Sequence, residues 1–140
     1  MRLYLAGIES KQSLIEAARP RYMFFFFFFC FGSDRRKEKI LKLVKQPWCK
    51  DFLCDSGAFT FFSKKNTTSA AGWEQYVDEY AEFVKAGDIK HFFELDIDSL
   101  VGLENVEKLR DRLESRTGRQ CIPVWHLNSG WKSFEEMCKG

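Results

Sequence analysis

Asp51-Phe52-Leu53-Cys54-Asp55-Ser56-Gly57-Ala58-Phe59 joins a short apolar strand to a polar break. Phe52, Leu53 and Cys54 suit a buried strand, and Asp55-Ser56-Gly57 ends it in a turn with exposed backbone N–H groups. Downstream, a polar loop (Ser63 to Ser69) leads to Trp73, Tyr76, Val77, Tyr80, Phe83 and Val84, at the i, i+3, i+4, i+7 spacing of an amphipathic helix. Upstream, Ile40, Leu41 and Val44 share one face of a helix predicted over Lys37 to Gln46, with lysines opposite. Before that helix comes the aromatic run Met23 to Phe31, preceded in turn by a helical pattern over Lys11 to Ala18 and an apolar run, Leu3 to Ala6.

The same alternation continues toward the C-terminus. His91 to Asp98 reads as a fourth strand, and Val106, Leu109 and Leu113 mark a helix closed by Gly118. Gln120 to His126 reads as a fifth strand, and Ser133-Phe134-Glu135-Glu136 has the capping-box pattern of a last helix. Strand and helix alternating in this way predict an α/β fold with parallel strands. Two layouts fit that order, an open doubly wound sheet or part of a barrel. No Gly-x-Gly-x-x-Gly or Walker-type loop follows a strand, which lowers the nucleotide-binding open sheet. Asp55, Asp98 and His126 fall at or just beyond strand ends, where barrel enzymes keep their chemistry. The expectation is therefore a parallel (β/α) barrel of TIM type, incomplete at about five β/α units, filling residues 1–140 as one domain truncated at its C-terminus.

Composition narrows the class. The 140 residues are 45% hydrophobic and 30% charged, enough for one core. The formal charge of +2 permits contact with nucleic acid without marking a dedicated binder. Five cysteines at scattered spacing, three of them (Cys30, Cys54, Cys121) in apolar runs, read as reduced core thiols of a cytoplasmic protein. The phenylalanine run is about half the ~20 residues that a membrane helix needs, so it reads as a strand covered on both faces and no membrane partner is expected.

Alternation along the fourth strand puts Glu94, Asp96 and Asp98 on one face and Phe93, Leu95 and Ile97 on the other. Carboxylates so placed need donors, a cation or a ligand. Asp55, the acidic strand and His126 are thus candidates for a single pocket. Ser56 and Gly57 supply a sharp turn, and Gly57 allows close approach of a flat ligand.

Cys54-Asp55-Ser56-Gly57-Ala58-Phe59 resembles the Asp-Ser-Gly-Gly-Phe/Tyr motif of the queuine and archaeosine tRNA-guanine transglycosylases. With alanine in the motif, and with Glu94-Leu95-Asp96-Ile97-Asp98 and Pro123-Val124-Trp125-His126, the chain looks more like the phage and bacterial relatives that insert 7-deazaguanines into DNA. The resemblance implies base exchange at C1′, guanine leaving and a 7-deazaguanine entering, on DNA or tRNA. It implies that Asp55 lies in the base pocket and takes part in proton transfer, with Ser56, Gly57 and Phe59 around the base. It implies that Asp96 or Asp98 reads the guanine edge, and it places His126 where the tRNA enzymes carry a glutamine. The family's nucleophilic aspartate and its zinc-binding Cys/His cluster are not among these residues, so no cofactor is expected in this chain. A second half supplied by another chain is one expected partner. Two other readings stand beside this one: a metal-dependent hydrolase using Asp55, Asp96, Asp98 and His126, and an inactive half-barrel that docks to a separately encoded partner.

Overall fold

The computed structural model describes residues 4–6, 23–28, 34–59 and 70–139. The helix expected over Lys11 to Ala18, the loop over Ser63 to Ser69 and Cys30 lie outside them. Four parallel strands hydrogen-bond in sequential order: β1 (Tyr4–Ala6), β2 (Met23–Phe28), β3 (Cys49–Asp55) and β4 (His91–Phe92). Leu5 lies opposite Phe25, Phe25 opposite Phe52, and Leu53 opposite His91. The aromatic run thus supplies a central strand, paired on both edges.

This sheet is open, which corrects the expected five-unit barrel. The expected fifth strand is reduced to one bridge, Phe93 to Ile122, held by Ile122 N–H to Phe92 O (2.8 Å) and Glu94 N–H to Ile122 O (3.0 Å). Two local causes cut it short. Pro123 has no N–H to extend a ladder, and the chain turns away from β4 after Glu94. Polar groups at strand ends did not discriminate between layouts, because open parallel sheets also gather ligands at their carboxyl ends.

The helices described from end to end are α1 (Asp34–Val44), α2 (Ala70–Ala86), the single turn α3 (Asp98–Val101), α4 (Leu103–Thr117) and α5 (Gly130–Lys139). The last begins three residues before the capping-box serine expected to start it. In α2, Trp73, Tyr76, Val77, Tyr80, Phe83 and Val84 are all buried, as their spacing predicts. They meet Phe52 and Cys54 of β3, Phe92 of β4, Ile40 of α1 and Leu113 of α4 in one apolar cluster. Full burial of a side chain such as Leu113 contributes about 2 kcal/mol. Glycine at position 87 lets the end of α2 close on α1, since a Cβ there would stand 2.9 Å from Ile89 Cγ1 and 3.1 Å from Leu41 Cδ2.

Charge clamps the helix layer from outside. Arg112 of α4 makes a two-pronged contact with Asp78 of α2 (2.7 and 2.9 Å), and Arg116 joins the same carboxylate. The Arg112 hydrogen bonds hold Asp78 below the usual carboxylate range. Among the described residues, no helix is long and apolar enough to cross a membrane.

Candidate functional site

The site lies where β3 and β4 end. Phe52 and Cys54 face the helices and are buried, so alternation turns Leu53 and Asp55 to the opposite face, where both are half-buried. Asp55 Oδ1 accepts the Gly57 N–H at 2.7 Å, closing a small turn, and Gly57 has φ +63°, a conformation that glycine adopts without strain. Burial pushes the Asp55 carboxyl above its ordinary range. The Gly57 hydrogen bond opposes that shift, and the negative charge of Asp96 adds to it. Two acidic groups from different strand ends thus sit within electrostatic reach of each other.

Two tyrosines fix this corner from behind. Tyr76 donates its hydroxyl to Ser56 O at 2.6 Å, and the Tyr80 hydroxyl lies 3.1 Å from both Cys54 O and Phe93 O. Tyr80 therefore stands astride the ends of β3 and β4, one helical turn from Tyr76. Both read from spacing as plain core residues. The signal that they do more is chemical, because a buried phenol needs a hydrogen-bond partner.

The acidic segment departs from simple alternation. Phe92 and Glu94 point together toward the helix layer, where Glu94 is buried with its oxygens 2.6 Å from Arg110 Nε and 2.6 Å from the Val124 N–H. Glu94 is thus removed from the face on which it was expected with Asp96 and Asp98. The Ile97 N–H then bonds Leu95 O (3.0 Å), a tight turn centred on Asp96. Leu95 and Ile97 both stay buried while Asp96 is presented at the bend. Asp98 follows as the first residue of α3.

His126 returns to the same point from 30 residues away. Its Nε2 lies 2.7 Å from Asp96 Oδ1 and 3.4 Å from Asp98 Oδ1. One ligand atom from each of Asp96, Asp98 and His126 falls within a 4.8 Å group, all three side chains being partly exposed. Ser56 is buried, its hydroxyl accepting the Ala58 N–H at 3.4 Å, and Phe59 is half exposed. The structure thus gathers Asp96 with Asp98 and His126 and leaves Asp55 within reach of the Asp96 charge, while Ser56 and Gly57 build the turn.

A neighbouring group of rings was not foreseen. Trp125, directly before His126, packs against Trp131 (centroids 5.9 Å apart) and Phe134 (5.2 Å), and Trp131 is 69% exposed. Farther back, the thiols among the described residues are free, with Cys54 and Cys121 buried as expected and Cys138 exposed. Burial pushes Cys121 up to about 12 and raises Cys54 further, which leaves both unreactive near neutral pH. Comparison with protein-family models, with curated proteins and with solved structures gives no match to this chain.

Proposed function

We propose that the carboxyl edge of this sheet is a guanine site of the base-exchange kind, replacing guanine by a 7-deazaguanine in DNA or tRNA. The observation that carries the reading is the half-buried Asp55 carboxyl, bonded to Gly57 N–H at 2.7 Å and close enough to Asp96 to feel its charge. Guanine presents N1–H and N2–H side by side, and a carboxylate accepts both. A purine leaving C1′ is helped by a proton, and a carboxyl raised above its usual range supplies one nearer neutral pH. Asp55 and Asp96 divide these tasks, Asp55 moving the proton and Asp96 reading the base edge. Between the two candidates for that reading, Asp96 is favoured by its effect on Asp55, whereas Asp98 is tied into the start of α3. His126 orients Asp96 through the 2.7 Å contact. The similarity of Cys54 to Phe59 to the transglycosylase motif supports the same assignment.

Calorimetric titration with guanine and with 7-deazaguanine tests binding, and transfer of labelled base into DNA or tRNA tests exchange. Asp55→Ala is expected to abolish exchange in the complete assembly with the fold intact by circular dichroism, and Asp96→Asn to weaken base binding by about tenfold, roughly 1.4 kcal/mol. A wild-type chain that binds neither base, or a complete assembly that exchanges neither with DNA or tRNA, ends the reading.

One observation favours a second reading, a divalent-metal hydrolase. Asp96, Asp98 and His126 present two oxygens and a nitrogen within 4.8 Å, a donor set suited to zinc or manganese. The His126 to Asp96 hydrogen bond holds the group together without an ion. A thermal shift with added metal that vanishes in Asp98→Ala supports the hydrolase, and indifference to EDTA and to metal removes it.

A further inference from the structure

At the opposite end of the strands from Asp55, a groove of about 290 Å³ opens between the C-terminal ends of α1 and α2 and the starts of β3 and β4. Lys45, Lys50 and Lys90 line it, brought together from three separate segments, and all three are exposed. The acids beside them are engaged elsewhere. Asp51 accepts the Tyr4 hydroxyl at 2.8 Å and lies 3.5 Å from His91 Nε2. Asp88 is held by Arg119, whose hydrogen bond and charge lower its carboxyl, with Lys90 adding a smaller pull. Among the described residues, none of the three lysines has an ion pair or hydrogen bond of its own. Lys45 and Lys50 therefore lack committed counter-charges, and Lys90 shares that of Asp88 with Arg119.

The positive charge extends beyond the groove. Arg35, Lys39 and Lys42 run along the exposed side of α1 toward Lys45, a span of roughly 15 Å at 1.5 Å per residue. Residues 34–50 carry seven Lys and Arg against Asp34 and Glu38, although the whole chain is only +2, so the remainder is net acidic. The modest overall charge hides a one-sided distribution.

We infer that Lys45, Lys50 and Lys90, continued by the exposed cations of α1, form a docking groove for the phosphodiester backbone of a nucleic acid. The length favours a polyanion over a single phosphate. A membrane surface fits less well, because the apolar face of α1 (Ile40, Leu43) is buried in the core and none of the exposed large apolar side chains lies at the groove. Ammonium groups on flexible stems contact phosphates without reading bases. The groove supplies affinity and register, leaving selection to another part of the surface. It stands on different residues from the Asp55 site and does not depend on the base-exchange reading.

Fluorescence anisotropy of the full chain with a labelled 20-nucleotide single strand, over a series of salt concentrations, tests the groove. Wild-type protein is expected to bind, with affinity falling steeply as salt rises. K45E/K50E/K90E is expected to lose at least tenfold in affinity. K45Q/K50Q/K90Q, which removes charge without reversing it, is expected to show a salt slope shallower by about two, roughly 0.7 per lost phosphate contact. Melting curves of both variants within a few degrees of wild type show that the fold is kept, and if the Glu variant unfolds the Gln variant decides. Wild-type affinity in the folded Gln variant overturns the inference. So does a protein that binds phosphatidylserine vesicles or inorganic phosphate but not the oligonucleotide. Titration of free 7-deazaguanine into the Gln variant keeps the two proposals apart, since base binding there is read at Asp55 and not at the lysines.

Discussion

Acidic side chains in the helix layer and at the carboxyl edge of the sheet meet opposite surroundings. Glu94 and Asp78, in the helix layer, are each met by arginine: Arg110 at 2.6 Å in one case, Arg112 and Arg116 in the other. At the edge Asp96 and Asp98 meet His126, and Asp55 feels the charge of Asp96. The first set is satisfied internally and holds elements together. The second retains unspent charge and acceptor capacity, the condition of a group awaiting a ligand.

The largest test breaks the satisfied side. Arg110→Ala leaves the buried Glu94 carboxylate without its cation, and urea unfolding is expected to show a loss of about 3 kcal/mol. A loss under about 1 kcal/mol means that the Val124 N–H alone satisfies Glu94 and that the arginine is dispensable.

Tyr80→Phe comes next. It removes the hydroxyl that lies 3.1 Å from Cys54 O and Phe93 O, which costs roughly 1 kcal/mol for the hydrogen bonding lost. The Asp55 carboxyl resonance, followed by NMR against pH, is expected to move as well, because the two strand ends are then tied by the Phe93 N–H to Cys54 O bond without the bridging hydroxyl. An unchanged Asp55 titration reduces Tyr80 to a packing residue.

The smallest effects carry the clearest signs. The carboxyl of Asp78 is lowered on folding, so its stabilisation is present above the unfolded value near 3.8 and is lost as pH falls through the folded value. Asp78→Asn is expected to cost about 0.5–1 kcal/mol at pH 7, limited by solvent screening, and progressively less in acid. The carboxyl of Asp55 is raised, so the folded state favours its protonated form and its ionisation weakens the fold. Asp55→Asn is expected to raise the melting temperature slightly at pH 7, with the gain fading as pH falls through the raised folded value and gone below about 3.8. Equal signs for the two variants would erase the distinction between the two regions.

Much of this contrast is legible in the sequence where side-chain periodicity applies. The α2 stripe from Trp73 to Val84 reads directly as a buried face, and Asp55 turns away from the helices because it alternates with the buried Phe52 and Cys54. Alternation and strand ends lead one to expect Asp55, the acidic pair and His126 in one pocket, and Asp96, Asp98 and His126 lie within one 4.8 Å group. What the pattern misses depends on departures from regular geometry. Counting by twos through Glu94 fails once the chain bends at Asp96, so Glu94 joins the arginine instead of the edge. The partners of the Tyr76 and Tyr80 hydroxyls depend on backbone carbonyls far along the chain, and no local spacing encodes them. Closure into a barrel was inferred from polar strand ends, a feature that open sheets share. The lysine groove was hidden by a net charge that averages a basic α1 with acidic neighbours.

The ring group beside His126 also gives the protein a built-in optical reporter. Trp73 is buried in the core and Trp131 is 69% exposed, so their emission falls at different wavelengths, blue for the first and red for the second. A molecule settling at the carboxyl edge would quench the red component through Trp125 and Trp131 and spare the blue. Unfolding would shift the blue component instead, so one emission spectrum separates occupancy from loss of structure.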